Sequence, residues 1–81
     1  MATKAQHAPK YRVLTGFLRE MREKAGLTQR ELGKRLKKPQ SWVYNCETGN
    51  RRVDVTEFIL WAEACGEEPK RAFGRLVKEL G

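Results

Sequence analysis

The stretch TQRELGKRLKKPQSWVYNCETG, residues 28–49, decides how this chain folds. Thr28 and Glu31 stand at the S/T-x-x-E spacing of a capping box, in which hydroxyl and carboxylate each satisfy an otherwise unpaired backbone N–H at a helix start. A helix therefore opens after Thr28. It can run only to about Leu36 or Lys37, because Pro39 has no N–H to continue it and biases Lys38 toward extended conformations. Another helix follows at once over Gln40 to Glu47, with Val43 and Cys46 as apolar positions one turn apart and Gly49 as its C-terminal cap. Two short helices joined by about three residues cannot lie antiparallel and must cross steeply, so residues 28–47 form a helix-turn-helix unit. Leu32, Leu36, Val43 and Cys46 then point inward and fix the crossing. Gln40, Ser41, Tyr44, Asn45 and Thr48 lie along the outer face of the second member, which is polar yet uncharged.

Outward from this unit the chain is helical in both directions. From Tyr11 to Ala25, Leu14, Leu18, Met21 and Ala25 recur at helical spacing with Phe17 alongside, and Gly26 supplies a stop. Asp54 and Glu57 repeat the capping-box spacing, with Val53 placed to staple onto Phe58, and open a helix over 54–65. Phe58, Ile59, Trp61, Ala62 and Cys65 give it an apolar face, and Gly66 ends it. Pro69 suits the first turn of a last helix over 69–80, lined by Ala72, Phe73, Leu76, Val77 and Leu80. No run alternates with period two, so the class is all-α with five helices in one domain, 10–81. Residues 1–9 are polar and close on a proline, and read as a flexible N-terminal arm.

Charge is distributed unevenly. Residues 1–52 hold 13 Lys/Arg against 4 Asp/Glu, whereas residues 53–81 hold 4 against 6, within a net charge of +7. So concentrated a positive field suits a polyanion such as nucleic acid, with anionic lipid as the competing choice. No segment approaches the roughly 20 apolar residues that span a bilayer, and residues 1–10 lack a secretory hydrophobic run, so the expectation is a cytoplasmic protein without a membrane partner. Cys46 and Cys65 sit in apolar-periodic stretches and read as buried free thiols, and the single histidine, His7, leaves a zinc site without ligands. There is no Ser-His, Cys-His or paired-carboxylate constellation and no phosphate-cradling glycine loop, so neither an enzyme nor a cofactor or small-molecule site is expected.

The segments LTQRELGKRL, KPQSWVYNCETG and NRRVDVTEFILWAEACG resemble the Cro/repressor, or xenobiotic-response-element (XRE), helix-turn-helix family over residues 11–66. The resemblance rests on Gln29 at the start of the second helix, the hydrophobic pair Val43 and Cys46, and the ending Glu47-Thr48-Gly49. It implies a lambda-repressor-like fold of prokaryotic or phage type, and a sequence-specific double-stranded DNA-binding transcriptional regulator, a repressor. It also implies an Arg22–Glu47 ion pair that locks the reading helix to the scaffold. One departure stands out: the family commonly has Gly at the first turn position, in a left-handed conformation, where this chain has Lys37. Keeping that conformation costs about 1–2 kcal/mol. Gly33 occupies the tightly packed position where Ala or Gly is usual.

For such a protein, Gln40, Ser41 and Asn45 are the expected base readers, since Gln and Asn pair bidentately with adenine and Ser bonds several base edges. Tyr44 on the same face would meet a thymine methyl or a phosphate. Expected backbone contacts are Gln29, Lys38, Thr48 and the Asn50-Arg51-Arg52 loop, with Trp42 either at the backbone or covering the core edge. Arg30, Lys34 and Arg35 are equally read as contacts or as a solvated face. A single reading helix touches few base pairs, so a homodimer is expected, with Leu76, Val77 and Leu80 either its interface or part of the core. The alternative is a protein-binding adaptor or antitoxin on the same fold, which needs an exposed apolar patch.

Overall fold

The computed structural model describes residues 8–81, so most of the expected arm lies outside the described residues. The five helices are α1 (Pro9–Lys24), α2 (Gln29–Leu36), α3 (Gln40–Thr48), α4 (Val55–Ala64) and α5 (Pro69–Leu80), with no strand among the described residues. α1 starts at Pro9 rather than Tyr11, because proline's fixed φ and missing N–H suit a first helical position. Both capping boxes form. Thr28 Oγ1 accepts from Glu31 N–H at 3.0 Å while Thr28 N–H donates to the Glu31 carboxylate at 2.8 Å. Asp54 and Glu57 do the same at 2.8 and 3.0 Å. α5, which begins at Pro69, has a cap that the sequence reading does not include: the Glu68 carboxylate accepts from Lys70 and Arg71 N–H.

Every helix contributes to one core: Phe17, Leu18 and Met21 from α1, Leu32 from α2, Val43 and Cys46 from α3, Phe58, Trp61 and Ala62 from α4, and Ala72 and Leu76 from α5. Trp61 is fully buried, and its indole N–H is satisfied by donating to Leu18 O at 3.1 Å. Burial pushes the Cys46 and Cys65 thiols up to about 11, so both stay protonated and unreactive near neutrality.

Ile59, Phe73 and Val77 do not join this core and are exposed. At about 100° per residue, Phe58, Trp61 and Ala62 fall within one arc of α4 and take the core side, and Ile59 falls beyond that arc. Leu76, by contrast, is buried and Leu80 packs against the core, which leaves Val77 as the exposed member of the three residues considered for a dimer surface. No helix among the described residues is long and apolar enough to cross a membrane.

The turn between α2 and α3 keeps the left-handed conformation, with Lys37 at φ 58°, ψ 43°. Lys38 N–H donates to Gly33 O at 2.8 Å and closes the end of α2. Because a Cβ is strained there, Lys37→Gly should stabilise the domain by about 1 kcal/mol, the relief being partly offset by the greater freedom of glycine when unfolded. A denaturant midpoint that fails to rise would show that Lys37 bears no strain.

Candidate nucleic-acid interface

α2 and α3 pack against each other and leave the outer face of α3 toward solvent. Val43 and Cys46 are fully buried beneath it, while Gln40, Ser41, Tyr44 and Thr48 are exposed and Asn45 is half-buried. α3 has no side-chain N-cap: Pro39 precedes it, so its first N–H groups are left without a side-chain acceptor.

A polar chain runs from the scaffold to this face. Arg22 grips Glu47 with two parallel hydrogen bonds, Nε to Oε2 at 2.6 Å and Nη2 to Oε1 at 3.0 Å, and its Nη1 donates to Leu27 O at 2.8 Å. The Glu47 side chain is 3% exposed and that of Arg22 11%, and the hydrogen bonds to Glu47 hold the guanidinium above its ordinary pKa against the opposing effect of burial. Gln29 Nε2 also donates to Glu47 Oε1, at 3.0 Å, and Gln40 Nε2 donates to Gln29 Oε1 at 2.7 Å. Each group leaves the next one fewer way to turn. The Gln40 amide is therefore oriented with one N–H engaged, leaving its oxygen and its other N–H free for a ligand.

The remaining residues singled out from sequence divide by what they touch. Asn45 Oδ1 accepts from Asn50 Nδ2 at 3.4 Å, and Thr48 Oγ1 donates to Tyr44 O of its own helix at 2.9 Å. Trp42 covers the core edge against Trp61, ring centroids 6.3 Å apart, while Lys38 Nζ and the Arg51 guanidinium lie 5.3 and 4.9 Å from its ring. Such contacts between cations and an indole hold both charges near the ends of α3. Arg51 makes a bidentate pair with Glu57 at 3.0 and 2.8 Å, which holds the Glu57 carboxyl below the ordinary carboxylate value. Its charge is thus matched, whereas Arg52 is exposed. Arg35 donates to Ala64 O at the end of α4, a scaffold contact.

Sequence reasoning missed two participants. The capping-box spacing marks Glu57 only as a cap, but its carboxylate also holds Arg51. The sequence marks Tyr11 only as the start of a helix, yet its hydroxyl accepts from Val53 N–H at 2.9 Å, across 42 residues of chain, a separation at which no local spacing gives a signal. Among the described residues, no group of His, Cys, Asp or Glu could hold a metal ion.

The family model described as a helix-turn-helix domain matches residues 13–79. A solved structure, an XRE-family like protein from Pseudomonas syringae pv. tomato str. DC3000, is similar at 40% identity with a TM-score of 0.82, covering 96% of this chain and 95% of that one. The chain belongs to the XRE family of helix-turn-helix domains. No curated protein matches it. This XRE-family domain shares the fold over nearly its whole length, including α4 and α5 beyond the helix-turn-helix itself.

Proposed function

We propose that this domain binds double-stranded DNA sequence-specifically and acts as a transcriptional regulator, a cytoplasmic repressor that occludes its site as a homodimer. The observation that carries the reading is the solvent-facing surface of α3, where Gln40, Ser41, Tyr44 and Asn45 stand beside one another and the Gln40 amide is already oriented. An α-helix of this kind fits the major groove, where a fixed amide can meet adenine N6 and N7. Gln29, Lys38, Asn50, Arg51 and Arg52 flank α3, and Trp42 and Thr48 lie on it, as the groups that would meet phosphates. The basic balance of residues 1–52 supports the same partner.

Dimerisation has a candidate surface of its own. An apolar groove of about 600 Å³ between α4 and α5 is lined by Leu14, Val55, Ile59, Phe58 and Phe73, with Asp54, Glu63, Glu68 and Lys70 also around it. A second copy docked across a two-fold axis would cover this apolar surface and set each Lys70 against the carboxylates of the other copy.

Binding-site selection from random duplexes is the decisive experiment, with enrichment of a palindrome as the expected result. On the selected duplex, Gln40→Ala or Asn45→Ala should cost about 1–3 kcal/mol and relax preference at particular base pairs. Absence of any enriched duplex would remove the DNA reading and leave the groove as the docking face of an adaptor or antitoxin.

A further inference from the structure

Tyr11, in the first turn of α1, lies far in sequence from the loop that follows α3, yet it holds that loop at three points. Its hydroxyl accepts from Val53 N–H at 2.9 Å and donates to Arg51 O at 3.5 Å. Its ring carries the Arg52 guanidinium 6.0 Å from the centroid. The two hydrogen bonds bracket Arg52, one on each side of it in the chain, and the ring face limits where its side chain can swing. Among the described residues, the Arg52 guanidinium forms no ion pair with a carboxylate, unlike that of Arg51. The loop is also anchored without Tyr11, through the Arg51–Glu57 pair and Arg51 N–H donating to Asn45 O at 3.1 Å. What Tyr11 adds is therefore local to Arg52.

We propose that Tyr11 is a positioning residue for DNA-backbone binding, fixing the unpaired Arg52 guanidinium in advance so that it meets a phosphate with little ordering left to do. The inference rests on the DNA-binding reading above. Preordering a long cationic side chain removes part of the entropy it would otherwise lose on binding. A backbone contact carries no sequence information, so the effect should be the same on every duplex.

The test uses the full chain and two duplexes, the selected site and a scrambled one, with affinity measured across a range of salt concentrations. Tyr11→Phe keeps the ring and deletes the hydroxyl, and should weaken both duplexes by about fivefold. Arg52→Ala should also weaken both, and should lower the slope of log affinity against log salt by about one. In the Arg52→Ala background, Tyr11→Phe should have no further effect. Arg52→Lys, which keeps the charge and loses the planar group, should show an intermediate loss and a reduced response to Tyr11→Phe. A Tyr11→Phe variant that binds like wild type, or that loses as much with Arg52 absent as present, overturns the proposal while DNA binding stands. A wild-type chain that binds neither duplex removes both readings together.

Discussion

Glu47→Ala should destabilise the domain by about 3–5 kcal/mol, because it leaves the Arg22 guanidinium buried with Leu27 O as its remaining partner. For a domain of 81 residues that is a large part of the total stability, and thermal or denaturant unfolding should reveal it as a lost or sharply lowered transition. A stable Glu47→Ala protein would mean that Arg22 escapes to water. The paired replacement Arg22→Met with Glu47→Leu separates two roles. Removing both charges together can be neutral for stability, since neither is left uncompensated. Yet Gln29 would lose its acceptor and Gln40 its fixed orientation. The double variant should therefore fold and still discriminate poorly among duplexes, an outcome that circular dichroism and competition binding distinguish.

Gly33→Val should cost about 3 kcal/mol and displace α3 relative to α2. A Cβ at Gly33 would stand 2.6 Å from Lys38 O, a backbone atom that cannot rotate away, with Pro39 C and O at 3.5 Å. Alanine makes the sharper comparison. In an ordinary helix interior Gly→Ala gains about 1 kcal/mol, whereas forcing extra volume into a packed site costs about 1–3 kcal/mol. Contact with a backbone carbonyl favours the second, so Gly33→Ala should also destabilise, and a raised denaturant midpoint would show that the turn moves aside easily. Because the turn carries the crossing angle, both variants should weaken binding to a selected duplex.

The parts of this fold that could be read from sequence are those fixed by neighbours in the chain. Thr28 with Glu31, and Asp54 with Glu57, announce helix starts because a cap is completed within four residues. Pro39, Gly49 and Gly66 mark ends for equally local reasons. Side-chain direction within an apolar helix was less legible. α4 and α5 carry more hydrophobic residues than one face can hold, and which of Phe58 and Ile59, or of Phe73 and Leu76, turns inward depends on how the helices meet. The family resemblance pointed to Arg22 and Glu47, which the structure brings together, but the extension through Gln29 to Gln40 joins side chains from three separate helices. Arg51 illustrates the limit of counting charges. In the sequence it is one of two adjacent arginines, and only the folded chain sets Glu57 against the first and Tyr11 against the second.

The two tryptophans occupy opposite environments, Trp61 dry and hydrogen-bonded to Leu18 O, Trp42 half in water between two cations. They give the domain a built-in pair of optical reporters. Emission from Trp61 follows loss of the interior, while emission from Trp42 follows whatever arrives at the flank of α3 and shifts Lys38 or Arg51. One unlabelled titration, with each indole replaced by Phe in turn, can thus assign a spectral change either to melting or to an occupied surface.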